Sequence, residues 1–314
     1  MNRLSHRGVL IILALSLILV LLAPAAYAQD AGNDTAPRTV LDFMGRPVTI
    51  DAPPQRVVGM SASIIEMLFA IGVTPVGVTD GIDYPPAAAG LPTFGSGYQP
   101  NLEALAALEP DLIIANGQLN VPIMDKLEAI APTLAVITLT TADIPANIRT
   151  LGQATWHETT AEYLATAYEG FYTAMAEAAA GQTQGETGPS ILIIVGTLGV
   201  PNYGKSDTYF GDIASILGAQ NIADGREDQG PFPGYTQLSM EYILDEDPDY
   251  IFTITRGDPT PMPESMADDP IWSALTAFEN GRVLELDNRL YVESPGPRVV
   301  EAMLTLYEIL YGRE

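Results

Sequence analysis

The 314-residue chain contains no cysteine, which excludes disulfide bonds, thiolate metal sites, cysteine nucleophiles and lipid-modified cysteines. Basic residues are also scarce: 14 Lys and Arg stand against 39 Asp and Glu, giving a net charge of −25. A surface of that charge repels phosphate backbones, so nucleic acid is not expected as a partner. The two histidines are His6 and His157, too few for a histidine cluster around a metal. We therefore assign no catalytic residue, no metal site and no resident cofactor.

The first 28 residues are typical of a cleaved secretory signal. Arg3 and Arg7 precede an apolar run of about 14 residues, which is shorter than the roughly 20 that a membrane-spanning helix needs. Small residues lead to an expected cleavage after Ala28, and an uncleaved membrane anchor is the alternative. We expect a periplasmic or secreted protein that begins with a disordered leader at residues 29–38.

The rest of the chain alternates short apolar strands with helices. A hairpin is predicted at residues 39–50, and helices are predicted around 61–71, 102–109, 122–130, 158–180, 207–218 and 299–312. Strands are predicted at residues 56–60, 76–80, 111–115, 134–139, 191–196, 250–255 and 282–287. Because these strands are apolar throughout and are joined by helices, they indicate parallel sheets covered on both faces.

One sequence pattern occurs twice, as NLEALAALEPDLII at residues 101–114 and as SMEYILDEDPDYIF at 239–252. Each copy starts with a residue that can cap a helix and ends with Pro-Asp before an apolar strand. The repeat predicts two related lobes, at residues 39–141 and 188–314, with a helical connection at 142–187. The fold class is therefore α/β: two Rossmann-like lobes with parallel sheets, joined by a long rigid helix, with a ligand cleft between the lobes.

Residues 199–206 match the phosphate-loop pattern G-x-x-x-x-G-K-[ST] between a predicted strand and helix. Nucleotide hydrolysis is disfavoured, because Pro201 removes a backbone N–H donor and an exported protein meets no ATP. We interpret the segment as a cleft-facing loop in which Tyr203 and Lys205 could contact an anionic ligand; an ordinary surface loop is the alternative. Asn116 and Gln118, which follow a first-lobe strand, could add hydrogen bonds.

Several segments resemble the periplasmic substrate-binding proteins of ABC importers for iron–siderophore complexes, cobalamin and haem. They begin at Arg56 (RVVGMS), Ile71 (IGVTPVGV), Asp83 (DYPP), Asn101 (NLE), Pro110 (PDLII), Ser239 (SME), Pro248 (PDYIF), Asn280 (NGRV) and Pro295 (PGPRVVEA). The resemblance covers nearly all of the mature chain. It implies two α/β lobes joined by a rigid helix, with the ligand clamped between them.

The resemblance also implies roles for individual residues. In this family each lobe presents an exposed glutamate to arginines of the permease, and the corresponding residues here are Glu103 and Glu241. A plain helix-start carboxylate is the alternative for both. The loop before each glutamate supplies an aromatic or basic ligand contact, which indicates Tyr98 and Tyr235. Tyrosine stands where cobalamin binders of the family carry tryptophan, and this disfavours cobalamin.

We therefore predict a non-enzymatic, monomeric binding protein that captures a chelated metal, a ferric siderophore, and delivers it to an ABC permease. The tyrosines, together with Lys205 and Arg256, suit an anionic ferric chelate through stacking and charge. Cobalamin or haem is the alternative of the same type, with Tyr98 or Tyr235 as axial iron ligand in the haem case. A secreted α/β enzyme, hydrolase or chelatase-like, is the alternative of another class.

Overall fold

The computed structural model describes residues 35–230, 232–257 and 259–312, which form two compact units. Unit 1 comprises the described residues up to Thr138 together with Ala142–Phe171. Unit 2 comprises Leu139–Thr141 and the described residues from Tyr172 onward. The predicted signal peptide and the leader up to residue 34 lie outside the described residues, and the connection predicted at 142–187 is divided between the two units.

The elements follow the predicted alternation closely. The strands are β1 Arg38–Leu41, β2 Pro47–Ile50, β3 Val57–Gly59, β4 Leu112–Asn116, β5 Thr133–Val136, β6 Ser190–Thr197, β7 Val200–Gly204, β8 Gln220–Asn221, β9 Tyr235–Thr236, β10 Tyr250–Thr255 and β11 Val283–Glu285. The α-helices are α1 Ala62–Ala70, α2 Leu102–Ala107, α3 Met124–Glu128, α4 Asp143–Thr155, α5 Glu158–Thr183, α6 Tyr209–Ile216, α7 Met240–Glu246, α8 Met262–Ala267, α9 Thr276–Glu279 and α10 Val299–Tyr311. No helix in the described part of the chain is long and apolar enough to span a membrane.

Unit 1 contains the predicted hairpin and a parallel sheet. Strands β1 and β2 pair antiparallel, and β1 begins at Arg38, the last residue of the expected leader. The sheet has the order β3-β4-β5, and its middle strand is apolar and buried up to Asn116. The prediction of a strand at 76–80 is wrong. Gly77 forms a single β-bridge with Val58 of β3, and Val78 forms one with Thr93 instead. Because the partner changes after one residue, no ladder forms there.

Unit 2 contains a mixed sheet of order β11-β10-β6-β7-β9, with β8 paired to β6. Strands β11, β10 and β6 are parallel, as predicted. The short strand β8, which was not predicted, is parallel to β6, whereas β7 is antiparallel to both of its neighbours. The prediction of a loop at residues 199–206 is therefore wrong, because residues 200–204 of this segment form strand β7. Gly196, with φ 123°, and a hydrogen bond from the Val200 N–H to Thr197 Oγ1 lie at the reversal between β6 and β7.

The duplicated Pro-Asp pair has the same structural role in both units. In unit 1, Asp111 Oδ1 accepts a hydrogen bond from the backbone N–H of Arg56, the residue before β3 (2.8 Å). In unit 2, Asp249 Oδ2 accepts one from the backbone N–H of Ser190, the first residue of β6 (2.8 Å). Each aspartate thus ties the start of its own strand to the start of the neighbouring parallel strand. The shared contact supports the duplication predicted from the sequence.

Arg149 links helices α4 and α5 within unit 1. Its Nε and Nη2 lie 2.8 and 2.9 Å from the two carboxylate oxygens of Glu162, and its Nη2 lies 3.0 Å from Glu169 Oε2. These hydrogen bonds lower the pKa of both glutamates. Arg149 therefore carries a shared ion-pair network, of a kind that stabilises more than isolated surface pairs.

We expect Arg149→Met to destabilise the protein at neutral pH and to have little effect in acid. A carboxyl group whose pKa is lowered by folding stabilises fully above its unfolded pKa, and this contribution is lost as pH falls through the folded value. Urea unfolding of wild type and variant between pH 7 and pH 3 measures the difference. Arg226→Met, which removes a cation from an exposed residue that stacks on Tyr242, is the matched control. A difference that is constant over this pH range would contradict the assignment.

Candidate functional site

Tyr98 of unit 1 is 61% exposed and lies in a loop that passes the carboxyl end of β3. A Cβ atom at Gly97 would lie 2.7 Å from the Met60 carbonyl oxygen, so only glycine allows so close an approach. On the other side of the tyrosine, the Gln99 N–H donates to Ser96 Oγ at 3.0 Å. The aromatic ring is therefore exposed on a loop that is fixed on both sides.

Asn120 holds this loop against the segment that follows β4. Its side chain is buried; its Nδ2 donates to the Gly97 carbonyl oxygen, and its Oδ1 accepts from the Asn116 N–H, both at 2.8 Å. Sequence reasoning missed Asn120. The only signal was a second asparagine four residues after the end of an apolar strand, which is weak. Asn120 is a positioning residue for Tyr98.

The two other residues predicted in unit 1 lie in the segment that Asn120 anchors. Asn116 Oδ1 accepts hydrogen bonds from the backbone N–H groups of Gln118 and Leu119, at 2.9 and 3.1 Å. The amide oxygen of Asn116 thus accepts hydrogen bonds within its own turn, and the side-chain NH2 group is the part of Asn116 that can donate to a ligand. Gln118 is exposed. The structure brings Asn116, Gln118 and Tyr98 to the same region of unit 1.

In unit 2, Arg256 follows β10 directly, and its N–H donates to the Gly196 carbonyl oxygen of β6 at 2.8 Å. Its side chain is 39% exposed, and its Nη2 lies 3.6 Å from Glu293 Oε1. Tyr235 in β9 is partly buried; burial raises its pKa, and the charge of Arg256 opposes that shift. The phenol therefore stays protonated at neutral pH and is suited to donate a hydrogen bond.

Tyr203 is a correction to the predicted site. Because residues 200–204 form β7 rather than a loop, the tyrosine packs into the core of unit 2 with Leu192 and Ile194 and is 3% exposed. Burial raises its pKa to about 12. Its side chain is a core residue, so the predicted ligand contact is wrong.

Lys205, which was predicted to contact an anionic ligand, is instead paired with two aspartates. Its side chain is 12% exposed, and its Nζ lies 2.5 Å from Asp228 Oδ1 and 3.2 Å from Asp207 Oδ2. The hydrogen bond to Asp228 is the main reason why the pKa of Lys205 is raised. Asp228 Oδ2 also accepts from the Gly234 N–H at 3.0 Å, next to Tyr235. The ammonium group therefore fixes the segment that leads into Tyr235, rather than presenting a cation to a ligand.

Glu103 and Glu241 occupy the first turns of α2 and α7, and both are exposed. Asn101 Oδ1 accepts from the Glu103 N–H at 3.1 Å, and Ser239 Oγ accepts from the Tyr242 N–H at 3.2 Å. These caps satisfy backbone donors that the short helices leave open. Within the described residues, neither glutamate is in an ion pair. Both carboxylates are thus exposed at the starts of capped helices, and their docking role stays a prediction.

The side chains of residues 35–230, 232–257 and 259–312 include no group of three His, Asp or Glu that could hold a metal ion. Unit 1 offers an aromatic ring for stacking and amides for hydrogen bonds, and unit 2 offers a phenol and one guanidinium group, all of them groups suited to recognition of a ligand.

Residues 57–290, most of the chain, match the sequence profile of the periplasmic binding proteins. The chain belongs to this family. Its members are solute-binding proteins rather than enzymes, and the resemblance to the substrate-binding proteins of ABC importers is confirmed. The α/β fold with two sheet-bearing units agrees with the family.

Two relatives and one solved structure illustrate the similarity of this binding protein to others. A cobalamin-binding protein of Halobacterium salinarum is 28% identical over 317 residues, covering 95% of this chain and 83% of that protein. The Fe(3+)-citrate-binding protein YfmC of Bacillus subtilis is 26% identical over 275 residues, covering 82% and 81%. A periplasmic heme-binding protein from Pseudomonas aeruginosa matches with a TM-score of 0.70 and 25% identity, covering 82% and 93%.

Proposed function

We propose that this protein captures a ferric chelate, of the siderophore type, and delivers it to an ABC permease. The observation that carries the proposal is Tyr98, a largely exposed aromatic ring on a loop that glycine and Asn120 hold at the carboxyl end of the unit 1 sheet. Ligands of open α/β sheets bind outside the carboxyl ends of the strands. On unit 2, Arg256 lies at the carboxyl end of β10, within the parallel part of the mixed sheet.

The chemistry of these residues favours an anionic chelate with a planar or aromatic surface. Tyr98 offers a ring face for stacking, and Arg256 offers a guanidinium group that is planar and permanently charged. The net charge of −25 repels anions at long range. Screening limits that repulsion to a Debye length of about 8 Å at physiological salt, so a local cation decides the interaction at contact. The ferric-citrate-binding relative is consistent with such a ligand.

Cobalamin or haem is the second candidate, and the cobalamin-binding relative, which aligns over 95% of the chain, favours it. Haem would place Tyr98 or Tyr235 as axial iron ligand. Tyr98 is largely exposed and Tyr235 is partly buried beside Arg256, and either phenol could be the one that binds the iron.

Delivery is proposed to use Glu103 and Glu241, which would contact arginines of the permease. Both carboxylates are exposed on capped helices, and they lie at matching places in the duplicated motif. Carboxylate and guanidinium groups form strong, often bidentate, hydrogen-bonded pairs. We further propose that the protein works outside the cytoplasm as a monomer, after cleavage of its signal at Ala28.

We expect Tyr98→Ala to weaken the affinity for a ferric tris-catecholate about tenfold, because one stacking contact of roughly 1.4 kcal/mol is lost. Equilibrium dialysis of the secreted protein, followed by visible absorbance of the chelate, measures the dissociation constant. Tyr163→Ala, which removes another exposed tyrosine of unit 1, on helix α5, is the control and should leave the dissociation constant unchanged. Equal affinity of Tyr98→Ala and wild type would contradict the assignment of Tyr98.

A further inference from the structure

A glutamate on a π-helical turn lies beside the candidate ligand-binding arginine of unit 2. The turn spans Arg289–Glu293, and the Arg289 N–H donates to Asp287 Oδ1 at 2.8 Å where the turn begins. Glu293 Oε1 accepts a hydrogen bond from Asn288 Nδ2 at 2.7 Å. The same oxygen lies 3.6 Å from Arg256 Nη2. Turns of this kind are uncommon and are found at functional sites more often than elsewhere.

The distance between Glu293 and Arg256 is informative. At 3.6 Å it exceeds the 2.7–3.2 Å of a hydrogen bond, so the carboxylate reduces the field of the guanidinium without occupying its donors. The carboxylate oxygen nearest Arg256 accepts a hydrogen bond from Asn288 instead. Both charged side chains are substantially exposed, at 39% and 45%. Arg256 thus keeps N–H groups for a ligand, next to a fixed negative charge.

We propose that Glu293 determines the charge selectivity of the Arg256 subsite, and that Asn288 positions it; this inference rests on the proposed function. A chelate with a single anionic group can bind Arg256, whereas the Glu293 carboxylate repels the additional negative charges of a polyanionic chelate. The residue therefore favours ferric chelates of low net charge over polyanionic ones. Glu293 was not found by sequence reasoning, because its contact with Arg256 joins residues 37 positions apart, a pairing that no local pattern reveals.

Glu293→Gln tests the proposal directly, since it removes the charge and keeps a side-chain oxygen that accepts from Asn288. We expect the affinity for a ferric tris-catecholate, which carries three negative charges, to rise about three- to fivefold. The affinity for a ferric trihydroxamate, in which three hydroxamate anions neutralise Fe3+, should change less than about twofold. Glu264→Gln, at an exposed glutamate of helix α8, is the control and should change neither affinity.

Asn288→Ala provides a second variant with the opposite expectation. Without the Asn288 hydrogen bond, Glu293 can close on Arg256, so the affinity for the tris-catecholate should fall while that for the trihydroxamate holds. If the wild-type protein binds a chelate and both variants leave the ratio of the two affinities unchanged, the inference is wrong and the proposed function stands. If the wild-type protein binds neither of these two chelates, the inference is overturned; if it binds no ferric chelate at all, the proposed function is overturned with it.

Discussion

Replacing both Glu103 and Glu241 with glutamine is expected to abolish ligand transport and to leave ligand affinity unchanged. Glutamine keeps the size of the side chain and removes its charge. The caps that hold the two helices come from Asn101 and Ser239, so the fold does not depend on these carboxylates. At an interface, loss of one partner of a buried hydrogen-bonded charge pair costs about 2–5 kcal/mol. Two such losses would reduce the population of the productive complex at least a hundredfold.

Uptake of iron-55 chelate by cells that carry the cognate permease and express only the variant measures transport, and equilibrium dialysis measures affinity. The control is Glu109→Gln with Glu246→Gln, which makes the same change in charge near the other ends of α2 and α7. Normal uptake by the Glu103/Glu241 variant would exclude the docking role. A parallel loss of affinity in solution would mean that the two glutamates serve ligand binding instead.

Asn120→Ala is expected to have the largest effect on stability of any single change near the candidate site. It removes the donor to the Gly97 carbonyl and the acceptor for the Asn116 N–H, both within a part-buried network. An unsatisfied buried polar group costs about 1–3 kcal/mol, so the free energy of unfolding should fall by about 2–4 kcal/mol. Because the loop that carries Tyr98 loses its anchor, ligand affinity should fall with it.

Urea unfolding and equilibrium dialysis on the same preparation separate the two effects of Asn120→Ala. Gln118→Ala, at an exposed residue of the segment after β4 that also contains Asn120, is the control for stability and should change the free energy of unfolding by less than about 0.5 kcal/mol. If Asn120→Ala is as stable as wild type, the buried side chain does not carry these hydrogen bonds. If it is destabilised but binds normally, Asn120 supports the fold and does not position Tyr98.

Local patterns predicted the features that depend on neighbours in the chain. Strands β4 and β10 were predictable because apolar runs follow a Pro-Asp pair, and the helix starts at Glu103 and Glu241 were predictable because capping residues precede them. The docking role of these glutamates was predicted only through the resemblance to a family. Strand β7 was not, since proline and glycine within it are typical of a loop. This segment is a strand because it pairs with β6, from which a turn separates it, and with β9, which is remote in sequence.

The interactions that shape the candidate site were beyond sequence reasoning, because they join residues far apart in the chain. Asn120 contacts a carbonyl 23 positions earlier, and Lys205 was expected to face a ligand although an aspartate 23 positions later neutralises it. A chain with so many carboxylates gives no sequence signal of which one pairs with a scarce cation. Tyr98 was predicted only through the resemblance to a family, not from its own surroundings.

Equilibrium dialysis of the wild-type protein against a ferric tris-catecholate, ferric citrate, a ferric trihydroxamate, cobalamin and haem is the most direct measurement of its function. We expect retention of one ferric chelate per chain with a dissociation constant of about 1 µM or lower. Retention of cobalamin or haem alone would contradict the proposed ligand. Retention of none of the five would contradict the claim that this chain is a receptor for a chelated metal.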